Sequence, residues 1–412
     1  MLLPVIPGNP KNKRGYYRVG NFDTYSKLEA FKLAHATKQQ VEYIFNDDVY
    51  SSCDWTKEPT ASIDELYRQR AVQLRQKYDY IVLLYSGGAD SHNMLMTFLT
   101  NNIHIDEIMQ YVHQEGPGSS TDFGNSEINL VAYPTTQKLI NEYKVKGTKH
   151  RVVDYTKTVV DLPNLLTQDD IMYRARRWLS PNSIARGFIT ETFPEYKKMS
   201  QEGKKICFVW AIDKPCISGL FDPVTEKYHY AAMFPERGAG IGMELNFETE
   251  SWKTDELFYW TPDLPEIVIK QCHMLINYVK TQPSDSSAFS AYQKRLPGTT
   301  IMEQYTVGHI KSENKFKFLH IDHAHRVLYR YWNIDTYTAG KSFSGIINHR
   351  DHWIWRNKNQ FKVADLFLSV AKKMQNMPGW NGINNGMKDV HSRFYPLESI
   401  GPLSNYQKYV FC

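Results

Sequence analysis

The chain has little cysteine and no paired cysteine motif. Its 412 residues include five cysteines (Cys53, Cys207, Cys216, Cys272 and Cys412) and no C-x-x-C. An odd number without paired spacing argues against a disulfide scaffold and against a four-cysteine zinc site. It points to a reducing, intracellular setting. Long hydrophobic runs are also missing. The longest apolar stretch, around Ile81 to Tyr85, is strand-sized, well short of the roughly 20 residues that cross a bilayer. No membrane partner is therefore expected. The opening M-L-L-P-V-I-P-G-N-P lacks the order of a signal peptide, so a soluble cytoplasmic protein is expected. A large excess of one charge is absent too. Lys and Arg number 49 against 44 Asp and Glu, a net charge of +5. That suits an anionic small ligand better than the dense basic stripe of a nucleic-acid binder. There is no internal repeat and no low-complexity tract.

What is present is an ordinary globular composition, 42% hydrophobic and 14% aromatic. It supplies a large core in two or three domains. Residues 1–61 read as an N-terminal arm with a small helix and strand, and Asp47 to Thr60 as a loop. Ser62 has the character of a helix cap, with Glu65 three residues on and Leu66, Ala71 and Leu74 at helical spacing. The face of that helix carries Arg68, Arg70, Arg75 and Lys77. Strands are expected at 80–85, 106–113, 150–155 and 205–212. Helices are expected at 92–101, 126–143 and 169–198. This alternation predicts an α/β fold with a Rossmann-like parallel sheet and helices on both faces. The sheet domain is placed at 62–281. Q-P-S-D-S-S, starting at Gln282, serves as linker, and 288–412 is a mixed α/β accessory or substrate region containing a helix from Phe361 to Met374.

Ser86-Gly87-Gly88-Ala89-Asp90-Ser91 lies between the most apolar strand and an amphipathic helix. At the carboxyl end of a parallel strand, two glycines allow a tight turn and close approach to a ligand. The following amides open a helix and form an anion nest. Asp90 is the oddity, because a carboxylate in such a cradle repels phosphate unless a cation lies between them. Magnesium takes one or two carboxylates together with phosphate oxygens. The residue types therefore point to ATP with Mg2+. G-x-x-x-x-G-K-[ST] is absent, and the loop is not G-x-G-x-x-G. The alternative is a plain glycine turn with Asp90 and Ser91 capping the helix.

Strand–S-G-G-x-D-S–helix resembles the PP-loop ATP pyrophosphatases, with Ala89 in the variable slot. The resemblance covers roughly Tyr80 to Ile217. It implies an asparagine-synthetase-like ligase chemistry: ATP cleaved between its α- and β-phosphates, and a carboxylate or carbonyl oxygen adenylated for attack by ammonia, an amine or another nucleophile. By the same resemblance Ser86, Gly87, Gly88, Ala89 and Ser91 hold pyrophosphate and Asp90 reaches magnesium. Val112 and His113, ending the second strand, flank the adenine.

Other candidates are weighed alongside. Lys214, after the fourth strand, is placed to neutralise charge at the α-phosphate; the alternative is an Asp-Pro turn. Thr254-Asp255-Glu256-Leu257-Phe258 is similar to the D-E-L-F segment of asparagine synthetases, which makes Asp255 a metal candidate; the alternative is the solvated start of a helix. Arg174, Arg176, Arg177 and Arg186 suit phosphates or simply a solvated face. The glycine-rich Pro235 to Gly242 suits a lid. His320, His323 and His325 suggest a metal site, with packing as the default. Cys207 and Cys216 matter because thiolating PP-loop enzymes use paired cysteines. The partners expected are ATP and a small-molecule substrate. A nucleic-acid-modifying enzyme on the same core, or a non-catalytic nucleotide-binding module, are the rivals. The sequence carries no signal for an oligomeric state.

Overall fold

A computed structural model describes residues 15–112, 132–175, 179–186, 193–212, 215–222, 227–236, 254–281, 317–318, 327–331, 354, 362–381, 386–401 and 409–410. The chain opens with a three-stranded antiparallel sheet, β1 (Tyr16–Val19), β2 (Phe22–Thr24) and β3 (Glu42–Ile44), in the order β2-β1-β3. Helix α1 (Lys27–Thr37) is inserted between β2 and β3. A single turn, α2 (Asp47–Tyr50), interrupts the expected loop. Helix α3 (Ile63–Lys77) starts as its sequence predicts, with the Ser62 hydroxyl accepting from the Glu65 amide at 3.2 Å.

The α/β unit follows. Its elements are β4 (Tyr80–Leu84), α4 (Ala89–Thr100), β5 (Glu107–Val112), α5 (Tyr133–Glu142), β6 (Lys149–Asp154), α6 (Thr156–Leu165), α7 (Gln168–Arg174), α8 (Pro181–Arg186), α9 (Pro194–Gln201) and β7 (Ile206–Trp210). The expected long helix from Asp169 is three short ones. Pro181 and Pro194 each open a new helix, because proline is tolerated in the first turn and breaks the interior. After the antiparallel strands β8 (Cys216–Asp222) and β9 (Lys227–Met233), β10 (Thr254–Leu257) joins the parallel sheet at its edge. The helix start considered for Thr254 is thus a strand. Asp255 and Glu256 point to opposite faces, as strand alternation requires.

The five strands are all parallel in the order β6-β5-β4-β7-β10. All five residues of β7 are buried, as a doubly covered central strand demands. Alternation assigns the covering helices. Glu107 and Phe208 face α9, whose Tyr196 bonds the first and packs edge-on against the second. Gln110 and Glu256 lie on the opposite face, where Thr136 of α5 and Arg70 of α3 meet them. Helices therefore cover both faces, and the fold is Rossmann-like. Arg70 is a difference from expectation. Only 1% exposed, it turns inward to pair with Glu256 at 2.9 Å.

Helix α10 (Glu266–Thr281) packs on α3. Further along lie β11 (Lys317–Phe318), α11 (Lys362–Met374), β12 (Trp380–Asn381), β13 (Gly386–Met387), β14 (Tyr395–Gly401) and β15 (Tyr409–Val410). These later elements are woven into the rest. Strand β14 pairs with β9, α11 packs on α6 and α7, and the core runs without a break from Tyr17 to Leu397. Lys27 and Glu236, both buried, form an ion pair at 2.5 Å that Tyr17 completes at 2.7 Å. It ties α1 to the end of β9. No helix among the described residues is long and apolar enough to cross a membrane.

Candidate functional site

From β4 the chain runs outward through β5 to β6, then returns to lay β7 on the other side of β4. Strand order reverses between β4 and β7. In an open parallel sheet this reversal parts the loops at the carboxyl ends and leaves a crevice for ligand. Tyr85 to Gly88 is the loop leaving β4 at that point, and Ala89 and Asp90 open the helix that follows.

Gly87 has φ +79°, and a Cβ there would stand 2.8 Å from the Ala132 Cβ. Both the backbone conformation and the space require glycine. Gly88 caps α4 in an extended conformation, so the helix begins at Ala89, three residues before its sequence suggests. Two serines tie the turn. The Ser91 hydroxyl donates to the Gly88 carbonyl at 3.0 Å and accepts from the Ser86 amide at 3.2 Å. The Ser86 hydroxyl accepts from the Gly88 amide at 3.3 Å. A hydroxyl has one proton, and that of Ser91 goes to the loop itself, with the residue 5% exposed. Ser86 is the more exposed of the pair. The opening amides of α4 point out of the helix beside it, at the positive end of its dipole.

Asp90 sits in this first turn, partly exposed. Two buried phenols hold it. Tyr329 donates to its Oδ1 at 2.5 Å, and Tyr259 donates to its backbone carbonyl at 2.8 Å. Burial, with the Asp90 charge beside them, pushes both phenols well above their ordinary pKa, so both remain donors. Two residues on, His92 Nδ1 lies 3.1 Å from the Tyr85 hydroxyl. Burial lowers its pKa to about 4, so the imidazole is neutral at pH 7. Sequence reasoning missed Tyr259, Tyr329 and His92.

The other candidates fall as follows. Val112, buried, ends β5, and its carbonyl accepts from the Tyr155 amide at 3.0 Å. Since Met109 is the register partner of Leu84, Val112 reaches the level of the loop. Asp255 is opposite Phe208, itself opposite Val82. That puts its backbone roughly 16 Å from Ser86, given the spacing and rise of a parallel sheet. Its carboxylate accepts from the Trp210 indole at 2.9 Å. Cys207 is fully buried and its thiol pKa is raised well above normal by burial. Cys216 is buried too. His113, Arg176, Arg177, Lys214, Arg237 to Gly242, the linker at Gln282, and His320, His323 and His325 lie outside the described residues, as does the Arg186 side chain.

No group of three or more His, Cys, Asp or Glu residues suited to a metal exists among the described residues. One carboxylate beside a nest of amides fits a metal that takes its remaining ligands from phosphate and water. Comparison of the sequence with protein-family models and with curated proteins gives no match to either.

Proposed function

We propose that this chain is a PP-loop ATP pyrophosphatase. It binds ATP with Mg2+ at Ser86 to Ser91 and transfers the adenylyl group to a carboxylate or carbonyl oxygen of a small molecule. The observation that carries this reading is the position of the S-G-G-A-D-S turn. It leaves the central strand at the reversal point of an all-parallel sheet, with Gly87 in a conformation and a space that only glycine tolerates.

On this reading each residue has a task. The first-turn amides of α4 and the Ser86 hydroxyl bind the phosphate tail, while Ser91 holds the turn in shape. Gly87 lets the backbone approach, and Val112 borders the adenine. Asp90 would hold the magnesium, which when bound offsets the charge of departing pyrophosphate. The substrate oxygen attacks the α-phosphorus and forms an acyl- or imidoyl-adenylate, and the bond between the α- and β-phosphates breaks. A nucleophile, most simply ammonia or an amine, then displaces AMP. Lys214, which follows β7 in the sequence, would neutralise charge at the α-phosphate. Closed burial of Cys207 and Cys216 speaks against a thiol nucleophile from that strand region.

The test is exchange of labelled pyrophosphate into ATP across a panel of carboxylic acids, with tRNA and nucleosides included. Exchange with one acid class, lost in Asp90→Ala and reduced in Ser86→Ala, is the expected result. Exchange dependent on tRNA would shift the substrate class. Tight ATP binding with no exchange across the panel would make the chain a nucleotide-binding module.

A further inference from the structure

The carboxylate of Asp90 is held from 239 residues away. Tyr329 is fully buried, although the segment that carries it, 327–331, belongs to the region after the expected linker. Its ring lies 5.6 Å from that of Tyr259, and Tyr259 in turn packs edge-on against Tyr67 at 5.4 Å. Each phenol in this group has a partner. Asn93 donates to the Tyr259 hydroxyl at 3.1 Å, and Gln271 donates to the Tyr67 hydroxyl at 2.9 Å. The three rings come from α3, the end of β10 and the distal segment, and they converge beneath the first turn of α4.

An acid in the first turn of a helix needs no such support for stability. The helix dipole already favours it, and water solvates it. Burying hydroxyls around one carboxylate is unfavourable unless every hydroxyl is bonded, and here the bonds run to both the carboxylate and the backbone of the same residue. Two-point restraint fixes the side-chain direction as well as the position. Preorganisation of this kind is what a metal-binding acid gains from a surrounding shell.

We infer that Tyr329, with Tyr259 beside it, is a positioning residue that fixes Asp90 for a divalent cation bound with ATP, so that the distal segment is part of the nucleotide site. This rests on the reading of Asp90 as the magnesium-binding acid. The experiment is Mn2+ binding to the full-length chain in the presence of a non-hydrolysable ATP analogue, followed by electron paramagnetic resonance. Wild type, Tyr329→Phe, Tyr259→Phe, Asp90→Asn and the Asp90→Asn/Tyr329→Phe double variant are compared, with the thermal midpoint of each recorded.

The inference predicts that Tyr329→Phe weakens nucleotide-dependent Mn2+ binding about tenfold, with analogue affinity in the absence of metal unchanged. It also predicts that Tyr329→Phe has no further effect once Asp90 is Asn, the coupling expected of groups that act as a unit. Wild-type or tighter Mn2+ binding in Tyr329→Phe, while Asp90→Asn loses it, overturns the positioning role and leaves the Asp90 assignment standing. Unchanged Mn2+ binding in Asp90→Asn overturns the underlying reading instead. If Tyr329→Phe does not fold, Tyr259→Phe decides: weakened Mn2+ binding supports the clamp and wild-type binding rejects it.

Discussion

Acidic residues at the two ends of the parallel sheet are treated differently. At the amino end, Glu107 is fully buried and surrounded by donors: Arg151 at 2.5 Å, Tyr196 at 2.8 Å and Tyr80 at 2.9 Å. The Arg151 guanidinium also packs over the Phe193 ring at 4.1 Å and bonds Glu195 at 2.6 Å. At the edge, Glu256 is 2% exposed and is met by Arg70, Lys77 and Tyr78. At the carboxyl end, Asp90 is partly exposed and is gripped through two neutral phenols. An acid closed in by cations supports the fold. Asp90 is instead only partly buried, and the two phenols restrain both its side chain and its backbone.

The largest expected effect sharpens this contrast. Glu107→Ala removes the acceptor that Tyr196 and Tyr80 share and one of the two carboxylates that bond Arg151, and should destabilise the chain by about 3–5 kcal/mol. Asp90→Ala takes one acceptor from the buried Tyr329 hydroxyl and should cost less, about 1–2 kcal/mol. Urea denaturation measures both. Equal losses would erase the distinction between the two ends.

Much of this was legible locally, and the rest lay in long-range partners. The strand Tyr80 to Leu84, the cap at Ser62 and the glycine turn announce themselves within a few residues, because their causes are local: β-branched apolar runs, a hydroxyl acceptor and left-handed backbone. Arg70 looked like one member of a basic helix face. Its partner Glu256 is 186 residues away, and nothing nearby marks it as buried. Tyr329 was hidden for the same reason. The division of 169–198 by Pro181 and Pro194 was readable, but helical composition around the prolines masked it.

A second prediction concerns pH at the carboxyl end. The pKa of His92 falls from an unfolded value of 6.5 to about 4 in the folded chain. Below pH 6.5 the unfolded chain takes up a proton that the folded chain refuses. Stability is therefore fully present above pH 6.5 and falls as pH drops toward 4, by up to about 3 kcal/mol. The thermal midpoint measured from pH 7.5 to 4 should fall less in His92→Gln than in wild type. Parallel curves would place another group in control.

Gly87→Ala comes next. A Cβ at φ +79°, pressed on Ala132, should cost about 1–3 kcal/mol and reduce ATP affinity, as read by calorimetry. Unchanged stability and binding would mean that the turn tolerates what its geometry forbids. The smallest effect is Ser62→Ala. Losing the cap of α3 should cost about 1 kcal/mol and leave ATP binding untouched, which separates loss of stability from loss of the site. Weakened nucleotide binding in Ser62→Ala would show that any destabilisation reaches the crevice.

The central measurement is a calorimetric titration of wild type and Asp90→Asn with ATP, each with and without Mg2+. Wild type should bind ATP with Mg2+-dependent affinity, and Asp90→Asn should lose that dependence while keeping its fold. Absence of ATP binding by the wild type, or an unaltered Mg2+ dependence in Asp90→Asn, would contradict the assignment of this turn as the nucleotide site.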